Sequence, residues 1–246
     1  MDIEGPRIQA MKVKGFSLLE CLIGLSLSFF IVLACLEFFG AARKSYSRLK
    51  DKEEAAQSAL AALDKMKVDI LRAGEGLVLP VSLGLVEPVA EAGGGLLITR
   101  SERSYELAGD LAAGAVRIPL TSTADLKPGR EICLADDAHA EVLAVSSVGA
   151  GAAVVSPAVG RAYAREKARA LLLEKISLTM DARLGVLRRR VNLSPAQPLL
   201  ENARDAEFAV DRPANLVRVR FRLNSQGDPI YELRLFPKNP ALAGRG

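Results

Sequence analysis

The chain has 246 residues, with 33 Lys and Arg against 29 Asp and Glu, a formal charge of +4 with its one histidine neutral, and half its residues apolar. That length supplies one or two domains with a sizeable core, and the composition excludes a disordered or collagen-like chain. Three cysteines cannot make a disulfide framework and are not spaced as zinc ligands, while a lone histidine, His139, excludes any site that needs two and would be the only base of a Ser-His-Asp or Cys-His site.

The apolar residues concentrate near the start. From Cys21 to Leu36 no residue is charged, and Phe16–Leu19 and Phe38–Ala42 extend the run, interrupted only by Glu20 and Glu37. The stretch from Phe16 to Ala42 exceeds the ~20 residues that span a bilayer, so it reads as a transmembrane helix; the alternative is a soluble helix buried all round. Three processing routes compete. A secretory signal would be cut near Gly40-Ala41-Ala42, and a lipoprotein signal would place its acylated residue at Cys35, after Val32-Leu33-Ala34. The third route cuts before the run and keeps it. Glu20 favours the third, because a carboxylate entering the apolar layer charged costs on the order of 3 kcal/mol. A disposable signal core has no use for it, and this run is longer than the usual ~7–15-residue core.

Lys14-Gly15-Phe16-Ser17-Leu18-Leu19-Glu20, followed by the apolar run, resembles the prepilin signal of type IV pilins and type II secretion pseudopilins. The resemblance covers residues 12–42 closely and the rest only in general form. It implies a leader, Met1–Gly15, removed by a prepilin peptidase between Gly15 and Phe16, with Phe16 then N-methylated. It also implies that Glu20 meets the new amino terminus of a neighbouring subunit during assembly. A buried carboxylate needs such a partner; the alternative leaves Glu20 at headgroup depth. The tip class of pseudopilin usually lacks this Glu, so its presence argues against that class. The implied partners are other pilin or pseudopilin subunits, the peptidase, an inner-membrane assembly platform and membrane lipid. The implied location is the cytoplasmic (inner) membrane, single-pass, with an extracytoplasmic head assembled into a filament. Charge alone would orient the span the other way, since Arg7, Lys12 and Lys14 are outnumbered by Arg43, Lys44, Arg48, Lys50 and Lys52.

Residues 43–73 contain no Pro or Gly and are rich in helix formers. Leu49, Ala56, Leu63 and Ile70 recur every seven residues, with Ala59 and Met66 between them, which predicts an amphipathic continuation of the helix to a cap at Gly74-Glu75-Gly76. Breaks at Gly24 or Gly40, giving separate helices, are the alternative.

Beyond Gly76, strands are expected over Leu77–Val86, Leu96–Thr99, Val116–Leu120, Glu131–Leu134, Glu141–Val148 and Ala152–Ser156. Residues 103–165 suggest a small β-rich insert. Alternation then predicts a hairpin over 172–191 and another over 216–236. Together 168–236 read as one antiparallel sheet with one buried face, laid against the stripe of the helix. The expected fold class is α+β: a long N-terminal helix on an antiparallel head, divided as leader 1–15, membrane half 16–42, amphipathic half 43–75 and head 76–246.

Little chemistry is visible. Gly93-Gly94-Gly95 precedes a strand and reads as a turn. Asp136, Asp137, His139 and Glu141 are drawn as a metal site with difficulty, since paired acids in a turn are usually solvated. Cys133 reads as a small core residue. Cys21 and Cys35, about 21 Å apart on one helix, cannot bond within the chain. Arg188, Arg189 and Arg190, with Arg218, Arg220 and Arg222, form a candidate basic surface if the two strands adjoin. Such a face holds phosphates, which makes nucleic acid a candidate partner, but few aromatic residues accompany it to stack bases; the other readings are a solvated face balanced by Glu207, Asp211 and Glu232, or a subunit contact. No cofactor or catalytic residue is expected. The reading is a structural minor pilin or pseudopilin, not an enzyme, with a membrane-tethered binding protein anchored through Cys35 as the alternative.

Overall fold

The computed structural model describes residues 17–224, 227 and 229–243. The expected leader, the Gly15–Phe16 cut and part of the 224–229 turn lie outside them. The chain divides into two units, residues 1–53 and 54–246, and one helix, α1 (Leu18–Leu71), enters both. It runs unbroken through Gly24 and Gly40, so the separate-helix alternative falls. In the first unit α1 carries a stretch long and apolar enough to cross a membrane, with none of that stretch buried.

The second unit contains α2 (Val78–Ser82), α3 (Lys238–Ala243) and two antiparallel sheets. The larger uses β1 (Val89–Ala92), β2 (Gly95–Glu106), β3 (Arg117–Pro119), β4 (Glu131–Ala135), β5 (Ala140–Gly149), β6 (Ala152–Ser156), β7 (Arg169–Asp181), β8 (Val186–Val191) and β9 (Gln197–Leu200). The smaller orders β10 (Ala203–Asp211), β11 (Leu216–Leu223) and β12 (Ile230–Leu235) side by side. The fold class is α+β.

β7 organises the larger sheet. One edge pairs with β2 along its length, while the other pairs with β4 over Arg169–Leu172 and with β8 from Ile176 onward. Where β4 and β8 part, the Arg130 guanidinium donates to the Leu173 carbonyl at 2.8 Å and the Lys175 N–H is taken by Asn192 Oδ1, so the backbone groups freed by the fork stay satisfied. Gly93 and Gly94 have φ of +58° and +73° and make the two-residue turn of the β1–β2 hairpin, as the glycine run predicted. Gly95 must remain glycine for another reason: a Cβ there would lie 2.1 Å from the Leu178 carbonyl oxygen.

Within the second unit, the end of α1 buries Ala59, Ala62, Met66, Asp69 and Ile70. Its apolar members join Ile98, Ile176 and Leu178 of the larger sheet and Val217, Val219 and Phe221 of the smaller in one core. The small side chains at 59, 62 and 73 let the helix backbone sit close to the strands, and Met66 and Ile70, fully buried, contribute about 2–3 kcal/mol each. A second core, from Tyr105 to Leu172, is built by β3–β6 with the adjoining ends of β2 and β7. These strands continue the larger sheet through the β4–β7 pairing.

Three expectations need correction. Residues 168–236 form parts of two sheets rather than one. The sheet does not have a single buried face throughout, because Leu173 and Cys133 pack on the far side with Leu77 and Val86. Leu77–Val86 is not a strand: Val78–Ser82 is a short helix with Pro80 in its first turn, where a missing N–H is tolerated, and Gly84 ends the segment at φ +69°.

Candidate functional site

The N-terminal segment is built by helix physics. Ser17 and Glu20 form a reciprocal cap: the Ser17 N–H donates to Glu20 Oε2 at 2.9 Å, and Ser17 Oγ accepts the Glu20 N–H at 3.2 Å. This is a capping box, S-x-x-E at the first turn, which the sequence displayed and which gives Glu20 a role inside its own chain. The acidic side chain also suits the positive end of the helix dipole. Farther along, Ser26 and Ser28 donate their hydroxyls to the carbonyls of Leu22 and Gly24. Both polar groups in the apolar run are thereby satisfied without water. Cys21 and Cys35 are exposed thiols on that helix.

The six arginines do not make one surface. Arg188, Arg189 and Arg190 lie on β8 of the larger sheet, and Arg218, Arg220 and Arg222 on β11 of the smaller. Arg189 turns inward, where Nε and Nη2 grip Asp69 at 2.6 and 3.1 Å. Asp69 is 1% exposed, and this hydrogen bond with the carboxylate charge raises the Arg189 pKa against the opposing effect of burial. Arg188 pairs with Asp181. On β11, Arg222 pairs with Asp205, Arg218 lies 3.7 Å from Glu207, and Arg220 stands in register between Glu207 and Glu232. Hydrogen bonding and charge from Arg222 hold the Asp205 carboxyl below its ordinary pKa. On the outer face of the smaller sheet two rungs therefore alternate in sign, Asp205–Arg222 and Glu207–Arg220–Glu232, whereas Arg218 stands in register with Arg234, and Asp205 joins Glu207 and Glu232 among the acids that balance this face.

Three ion pairs that reach into the head have no motif in the sequence. Besides Asp69–Arg189, Arg100 pairs with Glu174 across β2 and β7, and Arg130 pairs with Glu102. The periodicity offered one signal, since Asp69 interrupts an apolar stripe and Glu174 an apolar strand face.

Asp136, Asp137 and His139 lie in the turn between β4 and β5, and Glu141 is on β5. Asp136 Oδ1 accepts the N–H groups of Ala138 and His139 at 2.8 and 2.7 Å. Desolvation opposes its ionisation, but these two bonds and the neighbouring imidazole leave the carboxyl with a lowered pKa. Glu141 faces the other way, toward the Gly160 N–H. Among the described residues no three His, Cys, Asp or Glu side chains are grouped to hold a metal ion. Cys133 is fully buried, and burial followed by the nearby Glu141 charge pushes its thiol up to about 12.

No protein-family model matches the chain, and no curated protein matches it. Among solved structures it has a partial likeness to the Gp54 tailspike of Acinetobacter baumannii bacteriophage AP22, solved in complex with A. baumannii capsular saccharide. The likeness has 14% identity and a TM-score of 0.27, over 30% of this chain and 15% of the tailspike. An overlap that small supports no inference about fold or function.

Proposed function

We propose that this chain is a precursor of a minor pilin or pseudopilin, cut after Gly15, methylated on Phe16 and assembled through its N-terminal helix into a type IV pilus-like or type II secretion filament. The observation that carries the reading is the succession of a prepilin-type signal, Lys14–Glu20, and a single long helix that begins at Leu18 with an apolar segment and ends in a stripe buried on antiparallel strands. On this reading the protein is a structural subunit, not an enzyme. Its partners would be other subunits, the peptidase, the assembly platform and lipid, and its head would be extracytoplasmic.

The cap refines the role of Glu20. Its Oε2 holds the Ser17 N–H, which remains an amide N–H after a cut before Phe16, so the cap would survive maturation. Oε1 lies outside that bond and is the oxygen we assign to a neighbour's ammonium group. Cap and charge separate by substitution. Glu20→Gln keeps an acceptor for the cap and loses the charge. Glu20→Ala loses both, with the cap alone costing about 1 kcal/mol. The proposal expects both variants to fail in filament incorporation to similar extents. Normal incorporation of Glu20→Gln would reduce Glu20 to a capping residue and overturn its assembly role.

Intact mass of the matured protein tests the processing. Loss of residues 1–15 with one added methyl group is expected. Acylation at Cys35 with loss of residues 1–34 would establish the lipoprotein instead.

A further inference from the structure

One strand edge in the second unit has no partner. The smaller sheet runs β10–β11–β12, and among the described residues β12 pairs with β11 and with no other strand. Two bonds fix which of its main-chain groups face outward. The Leu223 N–H donates to the Pro229 carbonyl at 3.3 Å. The Val210 N–H turns away from β11 to Glu91 Oε1 at 2.7 Å, although Val210 stands opposite Val217. Ladder bonds alternate along an antiparallel strand, so both observations turn the N–H and C=O groups of Val217, Val219 and Phe221 toward Leu235, Leu233 and Tyr231. The main-chain groups of Ile230, Glu232 and Arg234 then point to the open edge, and among the described residues no loop backbone takes them.

The side chains along this edge are complementary to themselves. Glu232 and Arg234 lie on the outer face of the sheet, while Tyr231, Leu233 and Leu235 turn toward the core. An antiparallel copy of the strand centred on Leu233 sets Glu232 opposite the partner's Arg234, and Arg234 opposite the partner's Glu232. It also sets Tyr231 opposite the partner's Leu235, and Leu233 opposite the partner's Leu233. Outward residues meet outward residues in this register, so each Glu232–Arg234 rung exchanges both of its main-chain bonds. Symmetric registers centred on Glu232 or on Arg234 put like charges directly opposite, which destabilises a sheet. Charge therefore selects one register.

The charges within one chain point to the same neighbour. Arg234 stands in register with Arg218, like charge against like, and its own acid is Glu232 beside it on the strand, at 2.5 Å. Across the open edge from Arg234 is the place where a further acid offsets that contact, and the partner's Glu232 fills it. The pair within each chain is kept, and the two pairs form an alternating square. Charged side chains usually guard an edge strand against pairing. Here they admit one occupant, the same strand reversed.

We propose that the outer edge of β12 is a self-association surface, on which two copies of the chain pair their β12 strands about a twofold axis at Leu233 and join their smaller sheets into one. Such a contact is isologous and closes on itself. It rests on the second unit alone and not on the pilin reading.

Sedimentation of the full chain in nonionic detergent should show monomers and dimers in an equilibrium that shifts with protein concentration. Glu232→Arg places arginine opposite arginine, and Arg234→Glu places glutamate opposite glutamate. Each should weaken dimerisation about tenfold or more. Mixing the two variants, or combining both changes in one chain, restores opposite charges on every rung and should bring the dimer back, which also shows that the variants fold. As concentration rises, amide exchange should slow about tenfold at Glu232 and Arg234 and stay unchanged at Leu233, whose N–H already serves β11. A monomer at every concentration would overturn the proposal. So would a dimer indifferent to both single changes, as association through the apolar helix would be, a failure to recover on mixing, or protection that ignores the alternation along β12.

Discussion

Replacing Asp69 by alanine should be among the most damaging single changes in the head. Asp69 is 1% exposed and its partner Arg189 is 18% exposed at the side chain, so the substitution strands a largely desolvated guanidinium. Removing one partner of a buried pair costs about 3–5 kcal/mol. The residual exposure of Arg189 lets it relax partway to solvent and favours the lower end, about 3 kcal/mol. With a urea dependence of about 2–3 kcal/mol per molar, the midpoint should fall by about 1–1.5 M. The assay is urea unfolding of the full chain in nonionic detergent. It is followed by tyrosine fluorescence, since the chain has no tryptophan and three of its four tyrosines, Tyr105, Tyr163 and Tyr231, lie in the second unit. Arg72→Ala is the control, because the Arg72–Glu75 pair at the same helix end is about half exposed on both sides and such pairs contribute about 0–1 kcal/mol. Equal midpoints for Asp69→Ala and Arg72→Ala would refute the reasoning.

Ile70→Ala should lower stability by about 2–5 kcal/mol in the same assay, since its side chain is fully buried in the core shared by α1 and both sheets. Cys133 should resist iodoacetamide at pH 8 in the folded protein and react after denaturation: with its thiol pushed up to about 12, only about one molecule in ten thousand is thiolate at that pH. A carbon-13 titration of Asp205 should show a midpoint below the usual ~3.9, which Arg222→Gln moves upward. A depressed carboxylate stabilises the fold above its unfolded pKa, and the effect is lost as pH falls through the folded value.

Elements with strong periodicity were legible. Alternation in Val217, Val219, Phe221 and Leu223 gave β11, and β6 matches the expected Ala152–Ser156. Elements that broke a local rule were not. β9 carries Pro198, tolerated because the strand is an edge. β10 alternates, but Asp205, Glu207 and Asp211 give it a composition poor in strand formers. α3 begins Lys238-Asn239-Pro240, with proline in the first turn. The heptad reading of α1 found Ala59, Met66 and Ile70 but not Ala62 or Asp69, because an alanine carries little pattern and an aspartate reads as solvent-facing until its arginine, 120 positions later, is seen beside it. The sequence offers Glu20 a neighbouring subunit's amino terminus or a place at headgroup depth, and the Ser17–Glu20 cap, legible as S-x-x-E, adds a third role within the chain.

The buried charge also bears on how α1 finds its register. A stripe of Ala59, Ala62, Met66 and Ala73 is nearly smooth, and a helix shifted along it would still bury apolar surface. Asp69 is the one position on the stripe whose burial is tolerable in a single place, opposite Arg189. Apolar replacement of a whole buried pair is often neutral or stabilising, so Asp69→Leu with Arg189→Met should recover most of the stability lost in Asp69→Ala. If the pair specifies register, the double variant should show a second set of amide resonances over residues 59–73 despite its restored midpoint. A single set of peaks in the double variant would mean that side-chain packing around Met66 and Ile70 suffices to place the helix, and that the ion pair contributes only to stability.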